Sequence, residues 1–241
     1  YIEGETKDIK KLVNISPDVV FHLGEYSRVE QSFEDIDLVW KYNRFPITNI
    51  IEFCLENNSK LVYSGSSTKF GDGGKGKNMS PYAFSKSSNT ELIKNYGEWY
   101  GLNFAISYFY NVYGPKEISN GKYATLIAKY RERMLNNLTL EIVMPGDQER
   151  NFTHIDDIIN GLYFIQKYGE GDDYGIGSDR AYSVKEVADL FGGKVEYLPE
   201  RKGNRMSAPI ITKKLKDLGW KPKKSLDQYI TLLKENNWNE L

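Results

Sequence analysis

Tyr63-Ser-Gly-Ser-Ser-Thr-Lys-Phe-Gly71, followed by Ser80-Pro-Tyr-Ala-Phe-Ser-Lys86, decides how this chain folds. Leu61-Val62-Tyr63 is short, apolar and β-prone, which predicts a buried strand delivering Ser64, Ser66, Ser67 and Thr68 to its C-terminal end. The Gly-rich segment from Gly71 to Gly76 predicts a flexible crossing. Ser80 is then a favoured N-cap and Pro81 suits the first helical position, so a helix starts here. Tyr82 and Lys86 are four apart and share one face of it. A hydroxyl, a phenol and an ammonium so placed make a proton-transfer site: the ammonium favours the phenolate, and the serine can bond the same substrate oxygen. A second Tyr-x-x-x-Lys, Tyr163 to Lys167, lacks this setting and is predicted to be a plain helix face.

The rest of the chain supports a layered α/β fold. Tyr1 to Asp8 is expected to close a strand and turn, and a short helix should follow from Asp8 to Asn14. Asp18-Val-Val-Phe-His-Leu-Gly24 is a compact strand ending in glycine. A helix around Ile47 to Leu55, the Leu61 strand, the Tyr82 helix to about Tyr100 and a strand from Phe104 to Phe109 continue the alternation. That order predicts βαβ units and a parallel sheet covered on both faces. Ligands of such sheets bind at the carboxyl ends of the strands, where Gly24, Ser66 and Asn111 fall.

Composition narrows the function classes. The 241 residues suffice for one sizeable core, or one core with a smaller lobe. A net charge of −1 argues against a dedicated nucleic-acid binder. No apolar run has the length of a membrane span. The single cysteine, Cys54, fits a reducing compartment and a cytoplasmic location, and its apolar neighbours Ile50, Ile51 and Leu55 mark it as a core residue. With two histidines there is no metal-ligand cluster to propose.

The Ser/Thr strand end, Tyr82 and Lys86, with Asn111-Val-Tyr-Gly-Pro115 after the next strand, resemble the extended short-chain dehydrogenase/reductase family, specifically its nucleotide-sugar epimerases and dehydratases. The resemblance implies a Rossmann-like doubly wound parallel sheet with a smaller α/β substrate-binding lobe. The NAD-binding part would comprise residues 1–115 and about 151–175, and the lobe about 116–150 and 176–241. It also implies bound NAD, a nucleotide-diphosphate sugar as partner, and a homodimer built on the Ile47 and Tyr82 helices. The family's Gly-rich dinucleotide fingerprint has no counterpart here. Tyr1 matches roughly the third strand of the family, so the expected sheet is N-terminally incomplete. Carried over residue by residue, Leu23, Gly24, Asn43, Glu5 and Thr6 are expected at the cofactor, and Tyr82 and Lys86 at its ribose. Ser66 joins Tyr82 and Lys86 as the catalytic set. Ser67, Asn111, Arg150, Arg201 and Asn204 are expected at the substrate, with Arg150 and Arg201 gripping its phosphates.

Further along, Lys122 to Asn137 is predicted as an amphipathic helix with a solvated basic face. Asp156-Asp157 is expected to cap the next helix, with His154 orienting structure. Tyr182 to Phe191 and the residues after Pro222 should form two more helices. Family members all begin by oxidising the sugar at C4. The resemblance implies that 4,6-dehydratases carry an Asp-Glu pair where this chain has Ser67 and Thr68, which cannot do that acid–base work near neutral pH. A 4-epimerase needs no further acid or base, and a small residue at Ala208 would admit a sugar N-acetyl group. The expectation is an NAD-dependent 4-epimerase of a UDP-hexose or UDP-N-acetylhexosamine. A reductase or dehydratase of the same family and a non-catalytic nucleotide-sugar-binding module are the alternatives.

Overall fold

The computed structural model describes residues 1–200 and 209–241. Numbering the longer elements in chain order, they are β1 (Val19–His22), α1 (Ile47–Glu56), β2 (Lys60–Ser66), α2 (Pro81–Tyr100), β3 (Phe104–Phe109), α3 (Leu126–Leu135), β4 (Leu140–Val143), α4 (Ile155–Tyr168), β5 (Gly171–Ile176), α5 (Val184–Phe191), β6 (Val195–Leu198) and α6 (Leu226–Glu235). The main sheet runs β1-β2-β3-β5 and is parallel throughout.

Strand alternation splits the side chains of this sheet between two cores. Leu61, Tyr63, Ile106 and Tyr108 face α1 and α2, meeting Ile47, Ile50, Ile51, Cys54 and Ile93. Val62 and Ala105 face the other way, onto Ile158, Leu162 and Ile165 of α4, with Trp220 closing the layer. Cys54 is fully buried, and burial pushes its thiol up to about 12, so it is an inert core residue. A third core belongs to the C-terminal part: Tyr130 of α3, Leu140 and Ile142 of β4, Val187 and Phe191 of α5, and Ile230 and Leu233 of α6. Here β4 and β6 form a separate parallel pair.

Helix ends follow local chemistry. Ser80 Oγ accepts from Ala83 N at 3.0 Å and Pro81 occupies the first turn, while Gly101 closes α2 in the left-handed region that glycine tolerates. Ser183 caps α5 with a full capping box to Glu186. Lys60, at the start of β2, donates to three carbonyls at the end of α4: Ile165 O (3.1 Å), Gln166 O (2.9 Å) and Gly169 O (2.5 Å). No helix is long and apolar enough to cross a membrane among the described residues.

Four expectations need correction. Residues 1–5 form no strand, because no neighbouring strand pairs with them; a 3-10 turn, Thr6–Asp8, leads instead into a one-turn helix, Ile9–Leu12. The segment expected to be a flexible crossing winds into 3-10 turns, Ser67–Asn78, started by Ser66 Oγ accepting from Thr68 N. The basic helix is shorter than expected, and Lys129 and Arg133 turn onto Glu141 of β4 instead of forming a solvated face. The start of α4 is capped by His154, whose Nδ1 accepts from Asp156 N at 3.1 Å. Burial pushes the His154 pKa down, which favours the neutral ring needed for that acceptance.

Asp157 does a different job. It is buried, and its carboxylate accepts from Lys223 N (3.0 Å to both oxygens) and Lys224 N (2.9 Å), tying the C-terminal segment to α4. Asp157→Ala would orphan those donors at a cost of about 2–3 kcal/mol. Thermal unfolding should fall by roughly 5–10 °C for a chain of this size; a Tm within 2 °C of wild type would show that the tie is dispensable.

Candidate active site

One cleft of about 550 Å³ opens at the carboxyl ends of β2 and β3, between the main sheet and the C-terminal part. Ser66 and Ser67 reach it from the end of β2, Tyr82 from the first turn of α2, Asn111 from just past β3, and Arg150 from the short strand Glu149–Asn151. Five residues separated by up to 84 positions thus line one cleft; strand-end convergence in the parallel sheet accounts for Ser66, Ser67 and Asn111, and a helix start and a separate antiparallel pair add Tyr82 and Arg150.

Each is locally fixed. Ser66 Oγ lies 2.8 Å from Thr68 Oγ1, so two hydroxyls stand together. Asn111 has φ 26°, on the left-handed side that Asn tolerates better than most residues. Its Nδ2 donates to Asn151 O at 3.2 Å, joining the end of β3 to the Arg150 strand. Arg150 Nη1 donates to Glu149 O at 2.7 Å, and this strand pairs antiparallel with Ala181–Ser183.

Lys86 lies deeper than Tyr82, only 4% exposed, and does not line the cleft. Its ammonium pairs with Glu25 and sits 4.7 Å from the centre of the Tyr63 ring. Glu25 also accepts from Tyr63 OH at 3.0 and 3.2 Å and from Asn89 Nδ2 at 3.1 Å. His22 Nε2 is 3.3 Å from the same carboxylate, without hydrogen-bond geometry. Burial is the largest influence on Glu25 and opposes its charge, yet Lys86 and His22 together hold the carboxyl below the usual range. Burial first, and then Glu25, push the Tyr63 phenol well above its ordinary value, so it remains a donor.

The residues expected at the cofactor fall elsewhere. Leu23 and Gly24 follow β1; Leu23 is 47% exposed, and a Cβ at Gly24 would meet nothing within 4 Å. Backbone left open at a strand end fits the passage of a dinucleotide such as NAD. Asn43 is buried: Oδ1 accepts from Tyr26 N, and Nδ2 donates to Tyr26 O and Ser85 Oγ, so its amide ties the loop after β1 to α2. Glu5 pairs with Lys41 and Lys7 at the surface, and those hydrogen bonds lower its pKa to about 2. Thr6 opens the adjoining 3-10 turn. Neither lines the cleft. Arg201, Asn204 and Ala208 lie outside the described residues.

Sequence reasoning missed three side chains. Glu25 follows Gly24 directly, but nothing in its neighbours shows that it turns inward. Gln148 is 3% exposed at the cleft; its Nε2 donates to Val143 O at 3.0 Å, while its buried Oε1 has no hydrogen-bond partner among the described residues. Arg28 lies close to Tyr82, with its guanidinium 5.5 Å from the Tyr123 ring centre; burial lowers its pKa, against the pull of Tyr82 and Tyr123. Basic character was visible at Arg28, but its destination was not.

Comparisons with known proteins bear on this geometry. A Methanocaldococcus jannaschii protein whose assignment as a UDP-glucose 4-epimerase is itself provisional is 28% identical over 96% of this chain and 82% of its own length. The mouse dTDP-D-glucose 4,6-dehydratase is 27% identical over 92% of this chain and 69% of its own length. Among solved structures, the Thermotoga maritima UDP-glucose 4-epimerase with UDP-glucose superposes with a TM-score of 0.86 at 24% identity, covering 96% of this chain and 82% of that one. The fold is therefore Rossmann-like. Residues 3–177, well over half the sequence and including every part of the cleft described above except Val184 and Leu198, match the NAD dependent epimerase/dehydratase family, and the chain belongs to it.

Proposed function

We infer that the chain is an NAD-dependent 4-epimerase of a nucleotide-diphosphate sugar, with a UDP-hexose or UDP-N-acetylhexosamine as substrate. The observation that carries this reading is the make-up of the β2 end: Tyr82 shares its cleft with the hydroxyls of Ser66, Ser67 and Thr68, and none of these strand-end residues is a carboxylate. Elimination of water across C5 and C6 needs an acid and a base beside the sugar, and serine and threonine cannot supply them near neutral pH. The cleft does carry Glu30, from the loop after β1, and Glu141, but neither stands at the β2 end, and Lys129 and Arg133 hold Glu141.

In this reading Tyr82 takes the proton of the sugar 4-hydroxyl and later returns it to the same oxygen, once hydride has come back to the other face of C4. Ser66 bonds the same oxygen, and Lys86 provides the positive charge that favours the phenolate. Bound NAD would supply the hydride acceptor and donor, held along Leu23 and Gly24 with Tyr82 and Lys86 at its ribose. Arg150 would pair with the diphosphate, and Oε1 of Gln148, without a partner among the described residues, would accept a donor of the substrate. The homologous dehydratases are the competing reading, and a keto-deoxy product in place of the 4-epimer would decide for them.

Tyr82→Phe is expected to lower kcat by about 10²–10⁴-fold with KM little changed. Turnover near wild type would remove Tyr82 from the chemistry. A homodimer is part of the same reading, supported by exposed apolar side chains on α2 and the segment before α1: Phe84 at 46%, Trp99 at 61% and Phe45 at 67%. Light scattering should give twice the chain mass of 27.8 kDa, reverting toward one chain in Phe84→Glu. A monomeric wild type would discard the dimer.

A further inference from the structure

Lys86 is buried at the junction of β1, β2 and α2, and a lone ammonium there would be costly to desolvate. The groups around it are few. From the end of β1 come Glu25 and, beyond it, His22; from β2 comes Tyr63; α2 itself contributes Asn89 and, one turn earlier, Tyr82. Arg28 approaches Tyr82 from the loop after β1 and adds positive charge, not negative. Among the described residues, Glu25 is the single carboxylate in ion-pair contact with Lys86. Its own side chain is 2% exposed, and every contact it makes is to this cluster.

We propose that Glu25 is the positioning residue of the proton-transfer set: its carboxylate is the buried counter-charge that keeps the Lys86 ammonium protonated and fixed behind Tyr82. The inference rests on the reading of Tyr82 as the base. Glu25 does not line the cleft; it acts through Lys86. Tyr63 and Asn89 hold the carboxylate by hydrogen bonds, so the charge is anchored from two elements before any ligand arrives. Without Glu25, burial would strip the proton from Lys86 within the working pH range, and the phenol would lose its cationic neighbour.

The sign of the pH dependence follows from linkage. In Glu25→Gln the folded-state pKa of Lys86 drops below its unfolded value of about 10.4. Between those two values the unfolded chain binds more protons than the folded one, so raising the pH stabilises the variant. In wild type the ion pair with Glu25 closes that route. Equilibrium unfolding between pH 8 and 10, above the ordinary histidine range, would compare wild type, Glu25→Gln and the double variant Glu25→Gln/Lys86→Met. The deficit of Glu25→Gln in its folding equilibrium should shrink by up to about tenfold per pH unit. The double variant, which removes the pair without leaving a lone buried charge, should show a constant offset from wild type. A constant offset for Glu25→Gln as well overturns the proposal. So does a Glu25→Gln chain that stays unfolded even at pH 10 while the double variant folds.

Catalysis supplies the second readout. Epimerisation by Glu25→Gln should acquire a reversible alkaline limb that wild type lacks, with kcat falling as Lys86 loses its proton and KM for the sugar nucleotide held. A purely structural Glu25 would lower the rate equally at all pH values, and that outcome overturns the positioning role. If wild type shows no epimerase activity, the function assigned above fails. The unfolding comparison still tests whether Glu25 keeps Lys86 charged.

Discussion

A strand with a neighbour on each edge and a helical layer on each face cannot leave its ligands anywhere but at its ends. β2 is that strand here. Residues 61–67 are all buried, β1 and β3 pair with it in parallel, and the cores on its two faces are separate. The direction of β2 and β3 fixes which end gathers the polar side chains, and α2 must start beside that end. Tyr82 reaches the cleft because Ser80 stops the incoming chain and starts the helix there.

The polar cluster under the cleft shows how such a sheet tolerates charge. Glu25, Lys86, Tyr63 and Asn89 come from three different elements, and each polar contact is matched by another. A half-satisfied set at this depth would destabilise the junction more than apolar packing would help it. The hydrogen bonds among these four instead tie the loop after β1, β2 and α2 to one another. Asn43 extends it, linking the loop after β1 to Ser85 on the buried side of α2.

Much of this was legible. The run Phe104–Phe109, the Ser80-Pro81 start and the Ser183 cap appear in the structure where local chemistry placed them, because each depends on neighbours in sequence. Ser66 and Asn111 could be anticipated together, since parallel topology converts strand ends into a shared surface, whereas Ser67 and Arg150 were anticipated only through the family resemblance. What escaped reading depends on partners remote in sequence. Glu25 and Lys86 are 61 positions apart, and neither residue's flanks announce the other. Asp157 seemed a helix cap by position, yet its carboxylate serves backbone donors 66 and 67 residues later. The basic face of α3 looked solvated because Glu141, its partner, lies on a different element.

Lys60 gives one of these long-range ties a consequence for how the molecule breathes. The last turn of a helix ordinarily frays first, since its carbonyls lack intrahelical partners. Here the ammonium of a strand residue occupies three carbonyls at the end of α4, at a helix terminus that already favours positive charge. The end of α4 is thereby yoked to the central strand. Its amides would exchange with solvent only when the sheet itself opens, so helix and strand behave as one cooperative unit.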